Sequence, residues 1–312
     1  MRVASEERRN KRFRWRAVAG TWIAGLALLL IFPCRSRSAD LEEIQKRGVL
    51  IHLGVPYANF VTGGGDGLDV ELMRLFARNI GVKYQYVRSC WADVISDLVG
   101  QRFSFDGEKV EVVAEAPSKG DVIANGMTIL PRREQVVSFG IPTFPTQVWL
   151  MARHDSSLIP IAPTGDVARD IASVKSVLRD RDVLGIADTC LEPDLYQLRE
   201  TGSKIRYFSG NLNELAPAII NGDAELTLLD APDAILALEK WPGKLKVIGP
   251  ISPVQVMSCA FPKTSEALRQ RFNEFFEQLN SDGTYLRLVR KYYPTAPEHF
   301  PGFFGELRTE PE

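Results

Sequence analysis

Histidine and cysteine are scarce in this chain, with three and four copies in 312 residues. His52, His154 and His299 are scattered, and no two cysteines show the short spacing of a zinc site, so neither a metal nor a cofactor is expected. There is a single long uncharged apolar run, residues 17–32, which excludes a polytopic membrane protein. No internal repeat is visible. Gly63-Gly64-Gly65 is not followed by a helix-opening Gly-Lys-Ser, so it reads as a turn and not as a phosphate-cradling loop.

The first 39 residues differ from the rest. Arg2, Arg8, Arg9, Lys11, Arg12, Arg14 and Arg16 precede the apolar run, and Ser36, Ser38 and Ala39 follow it. A basic stretch, a short apolar core and a small-residue exit read as a signal peptide over 1–39, placing the mature protein in the periplasm. The alternative is an uncleaved anchor. Sixteen helical residues reach roughly 24 Å, short of a ~30 Å hydrocarbon core, which favours cleavage. Cys34 follows Ile31-Phe32-Pro33, which lacks the small residue of a lipoprotein signal. Without the leader, which holds nine of the 38 Lys and Arg but two of the 39 Asp and Glu, 29 basic residues face 37 acidic ones, a net charge near −8. That balance argues against a nucleic-acid partner and suits a soluble monomer. Cys90, Cys190 and Cys259 remain. They could form one disulfide with a thiol left over, or stand as three part-buried thiols.

Short β-branched or apolar runs alternate with helical spacing. Residues 49–55, 83–87, 121–124 and 136–139 read as strands, with helices at 68–80 and 91–99. The alternation restarts, with strands at 148–152, 183–187, 205–208, 226–229 and 245–248 and helices at 167–179, 193–200, 212–221 and 232–240. Pro232 sits where a helix starts and Gly222 where one ends. Two successive α/β units imply two Rossmann-like lobes, each a parallel sheet flanked by helices. The proline-bearing stretches 141–147 and 249–253 are the two crossovers of a hinge, after which the chain returns to lobe one through a strand and a helix at 265–279. Lobe one thus comprises 40–143 plus 252–300, lobe two 148–248, and 301–312 a tail. The alternation Val110-Glu111-Val112 suggests a hairpin inserted within 103–119.

Several segments, in order, carry a resemblance. They are Leu41-Glu-Glu-Ile-Gln-Lys-Arg-Gly-Val-Leu50, Gly67-Leu-Asp-Val-Glu-Leu72, Gly120-Asp-Val-Ile-Ala-Asn-Gly-Met-Thr-Ile-Leu-Pro-Arg-Arg-Glu134 with Val137-Ser-Phe139, Leu229-Asp-Ala-Pro232, Ala260-Phe-Pro-Lys263 and Asp282-Gly-Thr-Tyr285. Together they resemble the family-3 extracellular solute-binding proteins, the amino-acid-binding receptors of ABC importers, from about Leu41 to Pro294. The resemblance implies a type II periplasmic-binding-protein fold and a cleft ligand. It gives Arg133 the ligand's carboxylate, Gly126 and Thr128 backbone and hydroxyl contacts, Asp230 an α-ammonium group, and Trp91 and Tyr57 the aromatic walls, with Asn59 and Phe60 nearby. A planar guanidinium making two parallel bonds to a carboxylate supports the first assignment. On chemistry alone Arg133 could instead pair with Glu134 or Asp121, Asp230 could cap the helix ahead of Pro232, and Trp91 could pack in a core. Two departures stand out. Leu130 replaces a frequent threonine, and the lobe-two loop Ala187-Asp-Thr-Cys-Leu-Glu192 lacks glycine and carries two acids, which disturbs a standard amino-acid pose.

The expected function is a non-catalytic periplasmic receptor that closes on a small, carboxylate-bearing, amino-acid-like solute and presents it to an inner-membrane ABC permease. Rivals on the same fold are a cyclohexadienyl-type dehydratase, with Asp188 or Glu192 as its acid, and an accessory protein of a periplasmic quinoprotein dehydrogenase. No further domain is expected after Pro294, which sets aside a lytic transglycosylase or sensor kinase.

Overall fold

The computed structural model describes residues 39–305 apart from 107 and 108, so the leader reading falls, but for Ala39, outside the described residues. Among the described residues no helix is long and apolar enough to cross a membrane. The chain enters through Leu41–Arg47, a helix closed at its start by a capping box in which Asp40 and Glu43 satisfy each other's backbone N–H groups.

Two five-stranded sheets follow. The first runs, edge to edge, Lys83–Arg88, Val49–Gly54, Val122–Ile123, Ala260–Pro262 and Val137–Phe139. The second runs Lys204–Tyr207, Asp182–Gly185, Leu226–Asp230, Val148–Arg153 and Leu245–Pro250. Every residue of Leu226–Asp230 is buried, as a strand covered on both faces requires. The parallel expectation holds for Lys83–Arg88, Val49–Gly54 and Val122–Ile123, and for Lys204–Tyr207, Asp182–Gly185 and Leu226–Asp230. It fails for Ala260–Pro262 and Val148–Arg153, which run antiparallel to both neighbours. These are the strands by which the chain enters a sheet from a crossover, so they arrive from the opposite end. The hinge strands Phe144–Thr146 and Gln255–Met257 pair antiparallel; the first lies inside the expected crossover 141–147, while the second falls just beyond the expected 249–253, whose first two residues end Leu245–Pro250.

The expected hairpin is present as Gln101–Asp106 and Lys109–Glu115, with Val112 and Val113 exposed. The expected helix at 193–200 is two 3₁₀ turns, Pro193–Tyr196 and Leu198–Thr201, because Gln197 between them adopts φ 55°. The helix expected from Trp91 begins at Val94. Gly222 ends the helix Leu215–Asn221 at φ 89°, in the left-handed region that favours glycine.

One aromatic cluster joins the hinge to lobe one. Phe144, on a hinge strand and fully buried, lies 5.1 Å from Phe60, 5.0 Å from Tyr293 and 5.4 Å from Phe304 between ring centroids. Phe304 belongs to Pro301–Phe304, a helical turn within the stretch read as a tail. Phe144→Ala is expected to cost about 3–5 kcal/mol, the range for removing a buried ring that its neighbours cannot refill. Urea unfolding checks this; a loss below ~1 kcal/mol would mean that the cluster collapses around the gap.

Candidate functional site

The site lies between the two sheets and is built from four loops. Val122–Ile123 leads into the arginine segment, which ends in the short helix Pro131–Glu134. Trp91 stands in the turn before Val94–Val99, and Tyr57 follows Val49–Gly54. From the second sheet, Cys190 follows Asp182–Gly185 and Asp230 ends its strand, at the carboxyl ends where open α/β sheets place ligands.

Arg133 is 3% exposed and donates to the Thr128 carbonyl at 2.8 Å. Among the described residues no carboxylate lies within ion-pair distance of it. Glu134 does not pair with it, and Asp121 pairs with Arg47 at 2.5 Å instead. Burial lowers the Arg133 pKa, with the charges around Cys190 and Asp230 acting the other way. Its guanidinium stands 5.9 Å from the Trp91 ring centre. The Trp91 indole N–H and the Thr128 hydroxyl are both buried without a well-formed hydrogen bond, although Thr128 lies beside the Cys190 thiol. Buried donors in that condition are costly unless a ligand completes them.

Asp230 takes the N-cap position of Ala231–Lys240, but its side chain does not cap. One oxygen accepts from the Tyr57 hydroxyl at 3.1 Å and the Cys190 thiol at 3.0 Å, and the other from Thr146 at 3.4 Å. Burial raises its pKa against those hydrogen bonds, and burial likewise pushes the Cys190 thiol up. Tyr57 stacks on Phe60 at 6.1 Å and meets Trp91 edge-on at 5.6 Å, so Trp91 is both packed and facing the cleft. Asn59 serves the scaffold, its backbone N–H donating to the Tyr293 hydroxyl at 2.9 Å and its side-chain amide to the Tyr292 carbonyl at 2.8 Å.

Gly126 has φ 64°, and a Cβ there would sit 2.4 Å from the Phe60 ring. Its N–H is given to Asp69 Oδ2 at 2.7 Å, so that group is engaged within the lobe. Asp69 holds the arginine segment in place and was hidden in the sequence, where an acid in the first turn of a helix reads as an ordinary dipole partner. Burial raises its pKa to about 7. The folded protein therefore keeps this proton up to about pH 7, whereas the unfolded chain releases it near 3.8. The resulting stability is fully present below the unfolded value and is lost as pH rises through 7. Wild type should lose stability relative to Asp69→Asn across that window, at up to ~1.4 kcal/mol per pH unit. Urea titrations of both proteins at pH 5 and pH 8 test this, and an unchanged difference would refute it.

Several contacts join the lobes besides Cys190's neighbours. Arg132 pairs with Glu192 at 2.9 Å and donates to the Thr189 carbonyl at 3.0 Å, Tyr57 meets Asp230, Ala58 donates to Asn213 at 2.9 Å, and Thr295 donates to Glu239 at 3.1 Å. Arg132, Cys190, Thr146 and Tyr196, whose hydroxyl donates to the Cys190 carbonyl at 2.5 Å, carry no ligand role in the sequence reading, and Glu192 enters it only as an acid of the rival dehydratase. Glu192, a candidate acid for a dehydratase, is thus tied up in an ion pair, while Asp188 stays exposed. A cavity of about 280 Å³ opens on Trp91, Ile95, Met127, Arg132, Arg133 and Asp188. A second, of about 370 Å³, also meets Trp91 and Asp188 and runs along Thr189, Phe208 and Leu212. Cys90, Cys190 and Cys259 are all free thiols.

Two α/β lobes on a two-strand hinge, with a polar cleft at their strand ends, define a type II periplasmic-binding-protein fold. The chain belongs to the bacterial extracellular solute-binding proteins, family 3, whose model matches residues 51–295. A crystal structure of a mutant of ArgBP from T. maritima matches with a TM-score of 0.64 at 23% identity, covering 81% of this chain and 99% of that one. An ancestral amino acid-binding protein, a precursor of cyclohexadienyl dehydratase, matches with a TM-score of 0.62 at 24% identity, covering 81% and 98%. Among curated proteins, the membrane-bound lytic murein transglycosylase F of Desulfosudis oleivorans is 24% identical over 89% of this chain and 56% of its own length. The chain spans about half the length of the curated transglycosylases it matches. The transglycosylases set aside on length are therefore relatives of this chain.

Proposed function

We propose that the chain is a non-catalytic receptor that closes on a small carboxylate-bearing solute outside the cytoplasmic membrane and passes it to an ABC permease. The observation that carries this reading is Arg133, a buried guanidinium between the lobes with one hydrogen bond and, among the described residues, no carboxylate within ion-pair distance. A ligand carboxylate would supply the missing charge in the bidentate geometry that arginine favours. Trp91 would form the wall beside it, with Gly126 shaping the turn and Thr128 and Tyr57, buried and lining neither cavity, standing behind that wall. Mass spectrometry of whatever co-purifies with the native protein tests the reading. An acid recovered from wild type and lost from an Arg133 variant supports it, and recovery of no small molecule, with no scattering change on adding acids, counts against it. Prephenate and arogenate should not be turned over, since Glu192 is held by Arg132.

A second reading draws on the murein transglycosylases. In it, the same module binds a solute and reports it to a partner enzyme acting on murein, in place of a permease. Co-purification of the full chain with either kind of partner separates the two.

A further inference from the structure

We infer that the ligand is a carboxylate without an α-ammonium group, an organic acid with an apolar body, and so not an ordinary amino acid. This rests on the receptor reading and narrows it. The acid that would receive an ammonium group, Asp230, has both oxygens engaged by the protein's own donors: Tyr57 and Cys190 on one, Thr146 on the other. It is 1% exposed and lines neither cleft cavity. Seating an ammonium group there would displace the Tyr57 hydroxyl, which is itself one of the contacts holding the lobes together.

The cavity on Arg133 has the opposite character. Its buried polar groups are donors, namely the Arg133 guanidinium, the unpaired Trp91 indole N–H, and the Arg132 guanidinium, which Glu192 and the Thr189 carbonyl already engage. Much of the remaining lining is apolar, with Val94, Ile95 and Met127 against the Trp91 face. Asp188 also lines it but stands exposed, where water and salt screen its attraction for a cation. A carboxylate at Arg133 and Trp91 with a hydrocarbon body along Ile95 and Met127 satisfies both of those donors. An added ammonium group would have its hydration removed with only screened charge in return.

Two matched pairs test this by calorimetry on the full mature chain: 3-phenylpropanoate against L-phenylalanine, and 4-methylpentanoate against L-leucine. Each acid should bind at least ~10-fold more tightly than its amino-acid partner, since one charged hydrogen-bonding group goes unpaired in the latter. Tyr57→Phe with Cys190→Ala frees one oxygen of Asp230 and should shrink that preference to within ~3-fold, with circular dichroism confirming the fold. Amino acids binding as tightly as the acids would overturn the inference while leaving the receptor reading intact. A preference unchanged in the double variant would overturn the role given to Asp230. If none of the four binds at millimolar concentration, the proposed ligand class is wrong, and the receptor reading is then judged separately by the co-purifying molecule.

Discussion

Replacing Arg133 by methionine is expected to raise the dissociation constant of the bound acid at least ~10-fold without lowering the stability of the ligand-free protein. The first half follows from the worth of a hydrogen bond to a charged group, about 1.5–3 kcal/mol, two of which a carboxylate can make here. The second half follows from burial. Arg133 is desolvated, keeps one internal hydrogen bond, and has no carboxylate partner, so its charge opposes folding of the empty receptor. Methionine fills much of the same volume with no charge to desolvate, and such replacements of buried ions are often neutral or stabilising. The pairing of weaker binding with unchanged or higher melting temperature is the signature of a residue kept for its ligand. A variant that binds as tightly as wild type would remove Arg133 from the site. One that binds weakly because it has unfolded would show the guanidinium to be structural.

What the sequence made legible follows the range of the interactions involved. The strands were readable because runs such as 226–229, leucines broken only by Thr227, are strongly apolar and lie between Gly222 and Pro232, which act on their own neighbourhoods. The segment from Gly126 to Arg133 was readable for the same reason, since its turn, its threonine and its arginine lie within eight residues. Partnerships between segments distant in sequence were not. Arg132 and Glu192 are 60 positions apart, Asp69 and Gly126 57, and Tyr57 and Asp230 173. No local pattern marks such pairs, and a charged residue beside Arg133 reads as surface until the fold buries it. The cysteine at 190 was visible as a departure from the family, yet only the fold shows its thiol on Asp230. Reversed strands such as Val148–Arg153 were missed because strand direction is set by where the hinge delivers the chain, not by the residues of the strand.

Removing the Glu192 carboxylate is expected to open the ligand-free receptor. Arg132 is 5% exposed in the closed arrangement and reaches across the cleft to Glu192 and to the Thr189 carbonyl. In Glu192→Leu the closed state would hold Arg132 buried beside a hydrocarbon, a situation that typically costs about 3–5 kcal/mol. Rotation at the hinge avoids that cost by returning Arg132 to water, so the penalty falls on closure and not on the fold of either lobe. A penalty of that size shifts an open–closed equilibrium by two to three orders of magnitude, on the order of 1.4 kcal/mol for each tenfold. Small-angle scattering of the ligand-free variant should therefore report a larger radius of gyration than wild type, and the ligand should bind more weakly because it must now drive closure alone. Arg132→Met in the same chain removes the stranded charge and should bring the radius back toward the wild-type value, with a coupling energy well above the ~0.5 kcal/mol of independent sites. The remaining contacts, among them Tyr57 with Asp230, Ala58 with Asn213 and Thr295 with Glu239, are then left to hold the lobes. If Glu192→Leu scatters as wild type does, those contacts suffice and the ion pair is not the latch. If the double variant stays open, the geometry of the pair and not its charge balance is what closure requires.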